Sequence, residues 1–498
     1  MSKWWRKAAL ALMLLLAADE MPAQAMEADE LYEVMQLLME NHIAKPEEAA
    51  LVQGALRMVS EQIGEGENVQ PAFTAADDTA AELYNRLEQW QQQFRMEDDL
   101  LRRWAIEGML TVLNDPHTAF FTREELLRFQ ASVDNQYVGF GFRIRFREGQ
   151  LLIREVFPQS PAAQAGLQPG DQLVAVDGIP LTGKTYEEAY ALLRGEENTE
   201  ARVTIYREKE KQTKQVRMKR AYLSIPEVAG GMFAGGVGYI RLETFGSEAA
   251  IEMRNQLQAF TVNHPGMKGL ILDLRDNGGG YLSAARDIAS LFMEEGLLMY
   301  TVDRNGVEIA TWVRNGRDIA YPVTILVNEG TASASELLAG ALGDHGIADI
   351  VGTKSYGKGS AQQVVPLQDG DALKVTLHEY FTPERQVVNH VGLTPDVTVH
   401  DDIAQVVTAL QRHQVQRWEL RGSEEEAWIN GVPFTLTEPL FQRQQAGIAV
   451  RTAVLSALLR NPAFGDSGYT LLRADDPRLA GLQWTQTDRE TVLTYTAP

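Results

Sequence analysis

The chain has 498 residues, 45% of them hydrophobic and 23% charged, a composition that builds about three domains at roughly 150 residues each and excludes disordered or collagen-like architectures. Lys and Arg number 46 against 68 Asp and Glu, a formal charge of −22, so a charge-driven grip on nucleic acid is disfavoured. There is no cysteine, which removes disulfides, thiolate metal sites, iron–sulfur clusters and cysteine nucleophiles together.

Lys3, Arg6 and Lys7 precede an apolar run over residues 8–18, and Ala23-Gln24-Ala25 follows as a small-residue cleavage pattern. Residues 1–25 therefore read as a secretory signal peptide. An uncleaved anchor is the alternative, but a span needs about 20 apolar residues, and Asp19-Glu20 interrupt this run. An exported, cysteine-free chain also escapes thiol oxidation. Residues 26–130 read as helical, because Leu31, Val34, Met35 and Leu38, then Leu83, Leu87, Trp90 and Phe94, recur at spacings of three and four. Polar residues 65–78, with Gly66 and Pro71, read as a loop between helices. Beyond Phe129 the period becomes two. Ile144 and Phe146 alternate with Arg143, Arg145 and Arg147, which suits a strand with one solvated face.

From about residue 222 strand and helix alternate, as in a mostly parallel sheet with helices on its faces. Gly269-Leu-Ile-Leu-Asp-Leu274 is a buried strand ending in Gly278-Gly279-Gly280, and a helical period follows at Leu282, Ala285 and Ile288. Val323-Thr-Ile-Leu-Val327 repeats the pattern, followed by a small-residue turn over residues 328–333 and a helix carrying Leu337, Leu338 and Leu342. Sites in such sheets form beyond the carboxyl ends of strands, where both turns lie. After His400 come a polar linker and a small α+β tail, with a hairpin signal at Asn430-Gly431, a helix over 448–459 and a terminal hairpin over 482–495.

The eight His residues are scattered without a His-Glu-x-x-His pair, so no metal site is expected. Gly352-Thr-Lys-Ser-Tyr-Gly357-Lys358 approaches a phosphate-binding loop, yet Gly359 stands where a metal-binding hydroxyl is required and a strand follows, so no nucleotide is expected. Thr331-Ala-Ser333-Ala-Ser335-Glu336 is richer. Small residues at a strand-to-helix turn can expose a hydroxyl and aim helix N-terminal amides at one point. The segment reads equally well as an ordinary helix start, since Ser and Thr are favoured N-caps. A serine nucleophile needs a base: His345, His378 and Lys358 are available, and a lysine between Gly357 and Gly359 can serve if desolvation keeps it neutral. A solvated loop lysine is the competing reading.

Ala332-Ser-Ala-Ser-Glu336, Tyr356-Gly-Lys-Gly-Ser-Ala-Gln362, Tyr380-Phe-Thr-Pro383 and Gly392-Leu-Thr-Pro-Asp396 together resemble the carboxy-terminal processing proteases, or tail-specific proteases. Leu274-Arg-Asp-Asn-Gly-Gly-Gly280 resembles their Leu-Arg-x-Asn-Pro-Gly-Gly loop, with Gly278 in place of proline. Asp115-Pro-His-Thr118 resembles the linker before their PDZ domain. Gly139-Phe-Gly-Phe142, Ser160-Pro-Ala-Ala163, Ala165-Gly-Leu-Gln-Pro-Gly-Asp171 and Val176-Asp-Gly178 resemble that domain itself, in which successive amides hold a terminal carboxylate while the peptide adds as a strand.

The resemblance implies a multidomain α/β protein: a helical region at 26–130, a β-rich PDZ domain at 131–221, a mostly parallel serine-lysine core at 222–400, and a linker and α+β domain at 401–498. It implies Ser333 as nucleophile, Lys358 as base, Gln362 orienting the lysine, and Ala334 and Gly279 as oxyanion donors. Gly139, Phe140, Gly141 and Phe142 would hold a substrate tail, with no cofactor. The stripe over residues 31–38 suits a dimer face as well as a core helix. The function implied is an exported serine endopeptidase acting near protein C-termini; a non-catalytic peptide-binding scaffold or chaperone is the alternative.

Overall fold

The computed structural model describes residues 29–498 apart from 148–149, 369, 423–425, 437, 446, 488–489 and 498. The expected signal at 1–25 lies outside the described residues. The protein is a multidomain α/β chain whose described residues divide into two compact units, those within 29–123 and 362–377, and those within 124–361 and 378–497.

The first unit is built on the helices Glu30–Asn41, Glu48–Glu67, Ala80–Phe94 and Asp98–Thr111. Their starts are chemically marked. Asp29 accepts from the Leu31 N–H, and Thr79 with Glu82 forms a reciprocal capping box. Leu31, Val34, Met35 and Leu38 are at most 1% exposed and pack with Leu51, Leu83, Leu101, Leu373 and Val375. This corrects the dimer-face expectation, because the stripe is spent inside the unit. The second and fourth helices touch through backbone: a Cβ on Gly54 would lie 2.6 Å from the Gly108 carbonyl oxygen. Ala119–Phe121 pairs antiparallel with residues 372–374.

In the second unit the helix Arg123–Val133 runs past Phe129, where a two-residue period was expected. It ends where Asn135 adopts φ 51, a left-handed conformation Asn tolerates. Gln136–Gly139 then pairs with Ala221–Ser224 as a two-stranded ribbon carrying the chain into and out of the expected PDZ region. That region is an antiparallel sheet of Phe142–Arg147, Gln150–Val156, Gln172–Val176, Glu200–Arg207 and Gln212–Lys219 in spatial order, with Phe140, Leu151, Ile153, Val203 and Ile205 in its core.

The central sheet has the order Val228–Phe233, Val237–Leu242, Gly269–Asp273, Val323–Val327, Ala348–Gly352, Val397–Thr398, parallel except at its first pair. Gly269–Asp273 and Val323–Val327 are buried at every residue, as strands covered on both faces must be. Leu270, Leu272 and Ile325 pack with the helices Ala249–Asn263, Leu282–Ala289 and Ala334–Asp344. Ile271 and Leu326 face the other way, onto Asp402–Arg412 and the tail residues Trp418, Leu420, Phe434 and Leu455.

The tail holds the hairpin at Asn430-Gly431, both at positive φ, and the terminal pairing of Leu482–Gln486 with Thr491–Thr496. The helix expected over 448–459 is shorter. Gly447–Arg451 is a strand paired on both sides, and the helix is Thr452–Leu458.

Candidate active site

The strand Val323–Val327 delivers the chain into a turn pinned to its neighbour: Thr331 Oγ1 donates to the Leu274 carbonyl at 2.9 Å, and the Ala332 N–H to that of Asn277 at 3.0 Å. Ser333 follows with φ 59 and ψ −119. An ordinary N-cap is extended; a serine at positive φ is strained by about 1–3 kcal/mol and persists only where its surroundings hold it. What holds it is Glu336, fully buried one turn on, whose Oε2 accepts the Ser333 N–H at 2.9 Å.

The same carboxylate reaches the lysine loop. Oε2 also accepts the Lys358 N–H at 2.9 Å, while Oε1 accepts the Ser355 hydroxyl at 2.6 Å and the Gly357 N–H at 2.7 Å. Four donors converge on one ion, the arrangement that satisfies a buried charge. The hydroxyl of Tyr380, 1% exposed, lies 3.0 Å from the Ser333 carbonyl oxygen and 2.8 Å from that of Lys358. Burial pushes its phenol well above the ordinary range, so it remains a donor. Gly357 sits at φ 93, and a Cβ on Gly359 would collide with Asn389, which explains the glycines either side of Lys358.

His345 lies elsewhere. It caps the far end of the 11-residue helix that Ser333 begins, about 18 Å along its axis, and its Nε2 is 2.8 Å from the Leu297 carbonyl. His378 is paired across strands with Asp303.

The glycine loop abuts the serine. Gly279 has φ 101, and a Cβ there would lie 2.9 Å from Ser333 Cβ, the Ala332 carbonyl oxygen and the Ala334 nitrogen. Its own N–H donates to Asn277 Oδ1 at 2.9 Å. Ala334, first residue of its helix, has no intrahelical acceptor for its N–H. Gly278 would admit a side chain, with nothing within 4 Å of an added Cβ. Beneath the loop, Asp273 is buried between Arg275, at 2.6 and 2.8 Å, and the Tyr239 hydroxyl at 2.7 Å. Thr244 Oγ1 lies 3.0 Å from the Val133 carbonyl, beside the ribbon, and 3.1 Å from the Gly279 carbonyl.

In the expected tail-binding segment Gly139 pairs with Ala221, Phe142 with Val156, and Gly141 turns at φ 86, where a Cβ would strike Ser160. The Phe140 carbonyl accepts the Ala162 N–H at 2.8 Å, and that of Gly141 the Ser160 hydroxyl at 3.1 Å. Gln362 belongs to the first unit, where its Nε2 donates to Thr376 Oγ1 at 3.2 Å. Among the described residues no group of three His, Asp or Glu could hold a metal ion.

Glu336 and Tyr380 are the site residues the sequence reading named only as motif letters. The Ser-x-x-Glu spacing of a capping box pointed to Glu336; nothing local pointed to Tyr380.

A model of peptidase family S41 matches residues 236–399, and one of the PDZ domain residues 152–207. The carboxy-terminal processing protease CtpB of Bacillus subtilis is 32% identical over 309 residues, 61% of this chain and 64% of that protein. The carboxyl-terminal-processing protease of Synechocystis is 36% identical over 305 residues, 60% of this chain and 71% of that protein. The chain thus spans slightly less than two thirds of the first relative. Among solved structures, the photosystem II D1 C-terminal processing protease is similar at 26% identity and a TM-score of 0.44, covering 76% of this chain and 94% of that one.

Proposed function

The chain belongs to the carboxyl-terminal processing proteases of peptidase family S41, and from that premise we propose that it is an exported serine endopeptidase that holds protein C-terminal tails and cleaves upstream of them. Ser333 is the nucleophile and Lys358 the general base. Neutral Lys358 takes the Ser333 hydroxyl proton as Oγ bonds to the scissile carbonyl carbon, and the Ala334 and Gly279 amides stabilise the oxyanion. Lys358 then gives the proton to the leaving amine as the C–N bond breaks, and water hydrolyses the acyl-serine ester. The Gly279 N–H must leave Asn277 Oδ1 to take part. Gln362 orients the lysine.

The observation that carries this reading is the backbone of Ser333, held at positive φ and joined through Glu336 to the Lys358 loop. The segment Gly139 to Phe142 takes an apolar-ended tail, its carboxylate against the turn at Gly141. Export rests on the basic, apolar and small-residue pattern of residues 1–25; no described helix is long and apolar enough to cross a membrane.

The test is cleavage of a folded reporter carrying an apolar C-terminal extension. Ser333→Ala and Lys358→Ala should each abolish it, and removing the last residues of the extension should slow the wild type. Undiminished cleavage by either variant would refute the assignment.

A further inference from the structure

Within the first unit Gln362 belongs to a polar chain that reaches back to the end of the first helix. Gln362 Nε2 donates to Thr376 Oγ1 at 3.2 Å; Thr376 Oγ1 lies 3.4 Å from Thr118 Oγ1, and the Thr376 N–H donates to Thr118 Oγ1 at 3.2 Å. The Thr118 hydroxyl donates to Asp115 Oδ2 at 2.7 Å, and Asp115 Oδ1 accepts the His117 N–H at 2.9 Å. His42 Nε2 stands 3.2 Å from Asp115 Oδ2, and its Nδ1 accepts the Ala44 N–H at 3.1 Å. With Nδ1 an acceptor, Nε2 carries the hydrogen and donates to Asp115. His42, Thr118 and Thr376 are buried. Burial disfavours the charge on Asp115, but hydrogen bonds from His42, Thr376 and Thr118 outweigh it and hold the carboxyl well below the usual carboxylate range.

A carboxylate only accepts hydrogen bonds, so an ionised Asp115 gives the chain a direction. The Thr118 O–H points at the carboxylate, the Thr376 O–H turns the same way, and the lone pairs of Thr376 Oγ1 are left toward Gln362. An amide facing lone pairs presents its NH2, which leaves its Oε1 on the opposite side. A neutral lysine amine held by Gln362 needs that oxygen, because its lone pair is kept for the Ser333 proton and only its N–H groups are left to bond the carboxamide.

We propose that Asp115, acting through Thr118 and Thr376, is a positioning residue that sets which way the Gln362 carboxamide faces, so that Oε1 is presented to the catalytic lysine. The inference rests on the reading of Gln362 as the group that orients Lys358.

In Asp115→Asn the amide NH2 can donate to Thr118, both hydroxyls can reverse, and Thr376 then turns its O–H rather than its lone pairs toward Gln362. On the full chain, kcat for the tailed reporter should fall by about ten- to a hundredfold, as misplaced catalytic groups do, with KM little changed. The double variant Asp115→Asn/Gln362→Ala should be no slower than Gln362→Ala alone, a non-additivity expected only if the two act as one unit. Thr376→Ser should keep the wild-type rate and Thr376→Val should match Asp115→Asn; this pair carries the test if Asp115→Asn melts below the assay temperature. Additive losses, or full kcat in Thr376→Val, in an enzyme that Ser333→Ala inactivates, would overturn this inference alone. Undiminished cleavage in Ser333→Ala would overturn the serine-lysine reading and this inference with it.

Discussion

Ser333 and Lys358 are tied to each other through both backbone groups of each residue: both N–H groups donate to Glu336 Oε2 at 2.9 Å, and the Tyr380 hydroxyl lies 3.0 and 2.8 Å from their carbonyl oxygens. The strained turn and the lysine loop are therefore held by two buried side chains that need not touch a substrate.

Glu336→Gln tests the anionic half of this clamp. A glutamine has one accepting oxygen and an NH2 that opposes the N–H and O–H donors now converging on the carboxylate. Leaving one or two buried donors unpaired costs roughly 1–3 kcal/mol each. The variant should melt well below wild type by calorimetry and lose most cleavage activity even at temperatures where it is folded.

The glycine loop gives a contrast between neighbours. Gly279→Ala demands a Cβ 2.9 Å from Ser333 Cβ at φ 101, so the turn must shift; cleavage should fall more than tenfold, with a stability loss of about 1–3 kcal/mol for the forced backbone conformation. Gly278→Ala meets open space and should leave kcat within about twofold of wild type, the range of a surface change near ±0.5 kcal/mol. Equal effects at the two positions would contradict the close packing of Gly279 on the serine turn.

Glu227 makes stability at the ribbon pH-dependent. Its side chain is buried, Oε2 finds no hydrogen-bond partner, and Glu252 Oε2 accepts the N–H groups of Glu227 and Val228. Burial first, then the charges of Glu252 and Asp134, push the Glu227 carboxyl up to about 7 against the opposing Glu248 and Ala249 N–H groups. The folded chain thus holds this proton more tightly than the unfolded chain, whose ordinary value is 4.5. Its contribution to stability is full below that value and is lost as pH rises toward about 7. Melting temperatures of wild type and Glu227→Gln should converge near pH 4.5 and separate by pH 8, the glutamine variant being the more stable. Parallel curves would contradict it.

The sequence showed the parts of the fold whose cause is local. Gly269–Asp273 and Val323–Val327 were legible because a five-residue apolar run between turn signals has few other uses, and the helix after Ser333 because its leucines repeat at helical spacing. Residues 448–451 misled for the same reason: Ile448, Ala449 and Val450 fit a buried helix as well as a strand, and pairing with residues 441–444 and 469–471 decided between them. At the site, the small-residue turn was visible but the sign of φ at Ser333 was not. The downstream partners of Glu336 lie 19 to 22 residues away, and Thr118 meets Thr376 across 258 residues; spacing rules for a helix cap or a strand do not extend over such separations.

The most direct measurement is to quench the reaction of the full chain with an ester substrate bearing an apolar C-terminal tail, and to locate the acyl group by peptide mass. A burst of product with the adduct on Ser333 in wild type, and neither burst nor adduct in Lys358→Ala, is the predicted result. An adduct on any other residue, or a Ser333 adduct formed at the wild-type rate without Lys358, would contradict it.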